Sequence, residues 1–190
     1  MEMHKKLLES ISPALNKHVK NDMKEGIEGK IHLPQEKEET LTLFIEWAYT
    51  GGYAYKNPTP KSPLKPEDPW QSLGKHLQLC AFAVKFNIPI LKELAESKFH
   101  TEINLIKPSS KSDVVGIAMV IGYAYNNLPR EHPILKFLAQ YASWKLVLLR
   151  GTTEFNQLTL TQPAFLQELL KHLNGLKAKP KGSYKKPRTR

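Results

Sequence analysis

Seven histidines and a single cysteine are the side chains best suited to metal ligation or nucleophilic chemistry in this 190-residue sequence. The histidines are His4, His18, His32, His76, His100, His132 and His172. No two stand four residues apart, the spacing that puts two ligands on one helical face. Their pattern therefore specifies no metal, and each reads as a surface or hydrogen-bonded residue. Cys80 lies among Leu79, Ala81 and Phe82 and reads as a small core side chain rather than a nucleophile. A lone cysteine forms no internal disulfide, which suits a reducing compartment. Glycine-rich phosphate loops, G-x-S-x-G and H-E-x-x-H are missing from the sequence. The carboxylates between Glu36 and Glu39 fit a solvated helix start better than acid–base work. These patterns imply no enzyme, no cofactor and no metal.

The formal charge is +10, from 28 basic and 18 acidic residues. Lys177, Lys179, Lys181, Lys185, Lys186, Arg188 and Arg190 form a basic tail without an acid among them. Setting those seven aside leaves about +3 for the rest of the chain, so the charge describes the tail more than a nucleic-acid-binding fold. The tail itself reads as disordered. It has three uses open to it: none, a nuclear-localisation signal, or a weak phosphate-binding arm. Trp47, Tyr49 and Tyr53 fit a core at helical spacing better than a base-stacking platform. No apolar run reaches the ~20 residues of a membrane span. An intracellular protein, in cytoplasm or nucleus, is expected.

Positioning elements follow from hydrophobic spacing and punctuation. His4 to Ile11 reads as a short amphipathic helix. Ser12-Pro13 opens a second, with Leu15, Val19 and Met23 on one face and Gly26 as its stop. Lys30 to Leu33 alternates as a strand that Pro34 ends. The next helix carries Leu41, Phe44, Ile45 and Ala48 as its inner face and stops at Gly51-Gly52. Five prolines between Lys56 and Pro69 predict an exposed, mobile loop, whose Thr59-Pro60 and Ser62-Pro63 invite proline-directed phosphorylation. Asp68-Pro69 starts a helix with Leu73, Leu77, Cys80, Ala81 and Val84 inward. Asn87 breaks it, and Pro89 starts another with Leu91, Leu94, Ala95 and Phe99. Ser112 or Asp113 caps the next, whose face is Val114, Ile117, Ala118, Ile121 and Tyr125. Pro133 and Pro163 open the last two, the final one facing inward through Leu166, Leu169, Leu170 and Leu173. The sum is about eight helices and one or two short strands.

Four stretches together resemble the BTB/POZ domains of filamentous fungi: "HKKLLESISPALNKHVKNDMKEGIEGKIHLPQ", "TLFIEWAYTGGY", "HLQLCAFAVKFNIPILKELAESKF" and "LPREHPILKFLAQYASWKL". They run from about Met3 to Leu149. The resemblance implies a mostly α (α+β) fold, with a BTB/POZ-like helical cluster over 1–100, a short residual β-sheet and the proline-rich loop 56–69. A helical extension follows over 101–176, and the basic tail over 177–190. That family normally opens with a strand pair ahead of its first helix. This sequence starts almost at that helix, which puts the strand-mediated homodimer of many relatives in question. The resemblance implies a non-catalytic protein–protein interaction module. Its narrower form is an adaptor for a cullin-3 ubiquitin ligase. There the family's hydrophobic-x-acidic contact falls on Met23-Lys24-Glu25, with Met23 as an apolar plug and Glu25 as a polar anchor. The plainer reading has Met23 completing the Leu15/Val19 face and Glu25 solvated. The alternative class is a nuclear regulatory or nucleic-acid-associated protein acting through its basic tail.

Overall fold

A computed structural model describes residues 4–20, 33–53 and 68–173. Every regular element among them is helical, so the chain is mostly α. The helices are α1 (Lys5–Ile11), α2 (Pro13–Lys20), α3 (Glu38–Thr50), α4 (Pro69–Lys85) and α5 (Pro89–Leu105). Then come α6 (Lys111–Asn127), α7 (Pro133–Trp144), the single turn α8 (Leu146–Leu149), α9 (Thr153–Thr161) and α10 (Pro163–His172). The stretch expected as a strand, Lys30 to Leu33, lies outside the described residues except for Leu33, which belongs to no regular element. No described helix is long and apolar enough to cross a membrane.

The chain groups into two compact units. The first comprises residues 1–64 and 78–95, and the second 65–77 and 96–190.

In the first unit, α1 and α2 pack together, and Ser12 punctuates the join. Its hydroxyl accepts from the Leu15 N–H at 3.1 Å and donates to the Phe86 carbonyl at 2.7 Å. The expected Ser-Pro cap is therefore present, and it also ties α2 to the turn after α4. The core is Leu8, Leu15, Leu43, Phe44, Trp47, Tyr53, Leu79, Phe82, Ala83, Phe86, Ile88 and Leu91. Phe82 is its hub, with ring centroids 4.9 Å from Phe44 and 4.7 Å from Phe86. α3 turns a different face inward from the one its spacing suggested. Thr40, Leu43, Phe44 and Trp47 are buried, and Leu41, Ile45 and Ala48 only flank them. Nearly every position from Leu41 to Tyr49 is apolar, so periodicity alone left the orientation open, and the indole of Trp47 decides it. Trp47 and Tyr53 are core, as expected. Tyr49 is exposed, and its hydroxyl meets His4 Nδ1 at 2.7 Å.

The turn between α4 and α5 is a Schellman motif. Asn87 adopts φ 51°, the Ile88 N–H reaches the Ala83 carbonyl at 2.8 Å, and the Asn87 N–H reaches Val84 at 3.2 Å. Asparagine is the non-glycine residue that best tolerates this left-handed backbone. The break expected at Asn87 is thus a specific capped turn.

In the second unit, Asp68 caps α4 through the Trp70 N–H at 3.0 Å, as the Asp-Pro pair suggested. α7 packs on α10 and α6, and α9 packs on α6 and α10. α6 starts earlier than expected. Its cap is Ser110, not Ser112 or Asp113, and Asp113 serves instead as the first-turn N3 partner of a capping box. α10 buries Phe165 and Leu169, whereas Leu170 and Leu173 face outward at 55% and 40% exposure. The phenylalanine, bulkier than its neighbours, claims the inner position against Tyr125 and Phe155. α9 was not anticipated.

Candidate functional site

Met23 and Glu25 lie outside the described residues, as do all seven basic residues of the tail and the proline-rich loop up to residue 67. The chemistry that can be described is in the second unit, where nonlocal contacts bring together residues that are far apart in sequence.

Glu102, on α5, accepts a hydrogen bond from Ser72 Oγ at 3.0 Å, and its Oε2 lies 2.9 Å from His76 Nε2. Ser72 and His76 stand one turn apart on α4, so their side chains share a face. Burial pushes the Glu102 carboxyl up, but the hydrogen bonds from His76 and Ser72 and the charges of His76 and Lys98 outweigh it, leaving its pKa below the ordinary value. Serine, histidine and glutamate are the residue types of a hydrolase triad, yet their order is wrong. A relay needs the imidazole to take the serine proton. Here the carboxylate sits between the other two, and a carboxylate of depressed pKa is a weak base. The cluster ties α4 to α5.

A second cluster surrounds Asp113. Its carboxylate accepts from Trp70 Nε1 (2.9 Å), the Ser109 N–H (2.9 Å), the Ser110 N–H (2.8 Å) and Ser110 Oγ (2.6 Å). Burial raises its pKa, and these donors more than reverse that, holding it far below the usual carboxylate range. The Trp70 ring covers Gly116, where a β-carbon would fall 2.1 Å from Trp70 Cγ. A glycine is required there by contact, not by backbone angle.

The third cluster joins α5 to the start of α7. His132 is the N-cap of α7. Its Nδ1 accepts from the Ile134 N–H at 3.4 Å, and its Nε2 lies 3.1 Å from Glu96 Oε1. His100, one turn beyond Glu96, is buried edge-on to the Phe137 ring, with centroids 4.6 Å apart and planes at 89°. The expectation that histidines are internally satisfied fits His76 and His132. Sequence reading did not foresee their glutamate partners, because each pairing crosses between helices.

α6 carries the surface feature that spacing alone overlooked. Its inner face, with Val114, Ile117, Val120, Ile121 and Ala124, already fills the core. Val115 and Met119, four residues apart, remain 48% and 47% exposed. A β-carbon at Gly74 on α4 would touch Met119 Cε at 4.0 Å, so the methionine lies beside bare helix backbone. A signal was available: from Val114 to Ile121 the helix is apolar around its whole circumference, and such a helix is either buried all round or carries a second apolar face. Methionine adapts its shape to irregular partners.

Compared with known proteins, the chain matches no family model, no curated protein and no solved structure.

Proposed function

We propose that the chain is a non-catalytic protein–protein interaction module of BTB/POZ type with a C-terminal helical extension. The observation that carries this reading is the outward apolar pair Val115 and Met119 on a helix whose inner face is already complete. Exposed apolar side chains at helical spacing suit a partner surface better than solvent. Support for the BTB-type reading comes from the first unit. The helices expected from the three leading stretches occur there in the expected order, α1–α2, α3, then the α4–α5 turn, around one core. The short strand expected at Lys30 to Leu33 belongs to the same proposal.

The narrower reading is a cullin-3 adaptor that docks through Met23 and Glu25. Titration of the full chain with a purified cullin-3 N-terminal domain tests it. Binding is expected, and Met23→Ala with Glu25→Ala should abolish it; no binding by the unaltered chain would reject the adaptor role. The α6 surface is tested separately with Val115→Lys plus Met119→Lys. As surface changes they should each shift folding stability by no more than about 0.5 kcal/mol. A loss on the scale of a core substitution would show these side chains to be packing residues and remove the observation on which the proposal stands.

A further inference from the structure

We propose that His100, buried on α5 against Phe137 of α7, forms an acid-sensitive latch that holds α7 on α5 at neutral pH and releases it when the surroundings become mildly acidic. The geometry comes first. The His100 ring is buried, its edge-on partner Phe137 belongs to α7, and its Nδ1 has no hydrogen-bond partner among the described residues. An added proton on that ring would bury a cation with no acceptor at Nδ1. Two titratable groups act on it: Glu96 from its own helix, which favours the cation, and His132 from the cap of α7, which opposes it. Phe137 supplies no charge. Burial is the largest influence, and the net effect keeps His100 neutral below the ordinary imidazole range.

The sign follows directly. A histidine whose pKa is lowered by folding adds stability that is complete above its ordinary value of 6.5 and declines as pH falls below it. In the opened state His100 regains its ordinary proton affinity, so acid drives opening by mass action. The element released is defined by the packing. α7 carries Phe137 and caps itself on His132, and it takes α10 with it, since Ser143 Oγ donates to the His172 carbonyl at 2.9 Å. Opening would bare the apolar face of α7 around Ile134, Phe137 and Leu138.

Hydrogen exchange on the full chain, corrected for intrinsic rate, tests this between about pH 7 and pH 5.5. Exchange of the α7 amides should rise several-fold on acidification, with a ceiling of about tenfold set by uptake of one proton. The rise should vanish in His100→Leu, and in His100→Gln should the first variant fold poorly, while persisting in His132→Gln. Equal α7 protection of the unaltered protein at both pH values would overturn the proposal. So would the same acid response in both His100 variants, or its loss only in His132→Gln. If neither His100 variant folds, the imidazole resonance of His100 decides: a proton taken up at the ordinary pH with α7 still protected refutes the latch.

Discussion

Phe44, Phe82 and Phe86 pack ring against ring in the first unit, whereas in the second His76 and His132 each face a glutamate on α5. Among the described residues, the buried polar side chains differ accordingly. In the first unit they are Ser12, Asn16 and Thr40, all uncharged. In the second they are Ser72, Lys75, His76, Ser97, His100 and His132. Apolar contact is strong but non-directional, and it accepts many registers. A buried hydrogen bond to a carboxylate adds less net stability, because desolvation offsets most of it, but it penalises every arrangement in which the partner is missing. The first unit is thus stabilised mainly by area. The second adds a set of contacts that select which helix meets which.

The largest effects should come from packing. Phe82→Ala empties the centre of the first unit and should cost about 3–5 kcal/mol, read from urea unfolding. Gly116→Ala in the second unit tests overpacking instead. Its β-carbon cannot coexist with the Trp70 ring at 2.1 Å, so the indole must move. The expected loss is about 1–3 kcal/mol, with the Trp70 fluorescence shifted. A neutral Gly116→Ala would mean that the indole has room to move and that the second unit is more loosely packed than the first.

Polar contacts should give the intermediate effects. Glu102→Ala leaves the buried Ser72 and His76 without their acceptor and should cost about 1–3 kcal/mol. Acid provides the same test without mutation. The carboxyls of Glu102 and Asp113 have folded-state pKa values below their ordinary 4.5 and 3.8. Their contribution is complete above those values and is lost as pH falls through the folded-state range. The second unit should therefore lose exchange protection in acid before the first does. Simultaneous loss would erase the distinction between the two.

Local signals were the legible part of the sequence. Ser12-Pro13, Asp68-Pro69, Pro133 and Pro163 each mark a helix start that the structure keeps, because caps and proline act within one turn. Thr153–Thr161 shows the opposite case. Thr152 caps the start by accepting from the Phe155 N–H at 3.4 Å, but Thr153, Thr159 and Thr161 within the helix disfavour it locally. The helix forms because Phe155 packs edge-to-face with Phe165 and Leu158 reaches α6 beside Gly122. The faces of α3 and α10 were misjudged for a related reason: a run of apolar residues offers several faces, and the bulkiest ring chooses among them. His76–Glu102 and His132–Glu96 could not be read at all, since spacing within one helix says nothing about a partner on another. Met23 and Glu25 became visible only through a family resemblance.

Asn87 gives the smallest and sharpest test of how much local chemistry contributes to the first unit. Its φ of 51° costs an ordinary side chain about 1–2 kcal/mol, less for asparagine and nothing for glycine. Asn87→Gly should therefore change stability by only a few tenths of a kcal/mol, because relief of strain is opposed by the greater freedom of glycine in the unfolded chain. Asn87→Val should lose about 1–2 kcal/mol even though the position is exposed. The two variants expose the same turn to opposite backbone preferences, so a difference between them isolates the Schellman geometry from packing. Equal stabilities, measured by urea unfolding, would show that the α4–α5 turn is held by the surrounding Phe82, Phe86 and Ile88 alone, and that the first unit depends on area even where its sequence supplies a cap.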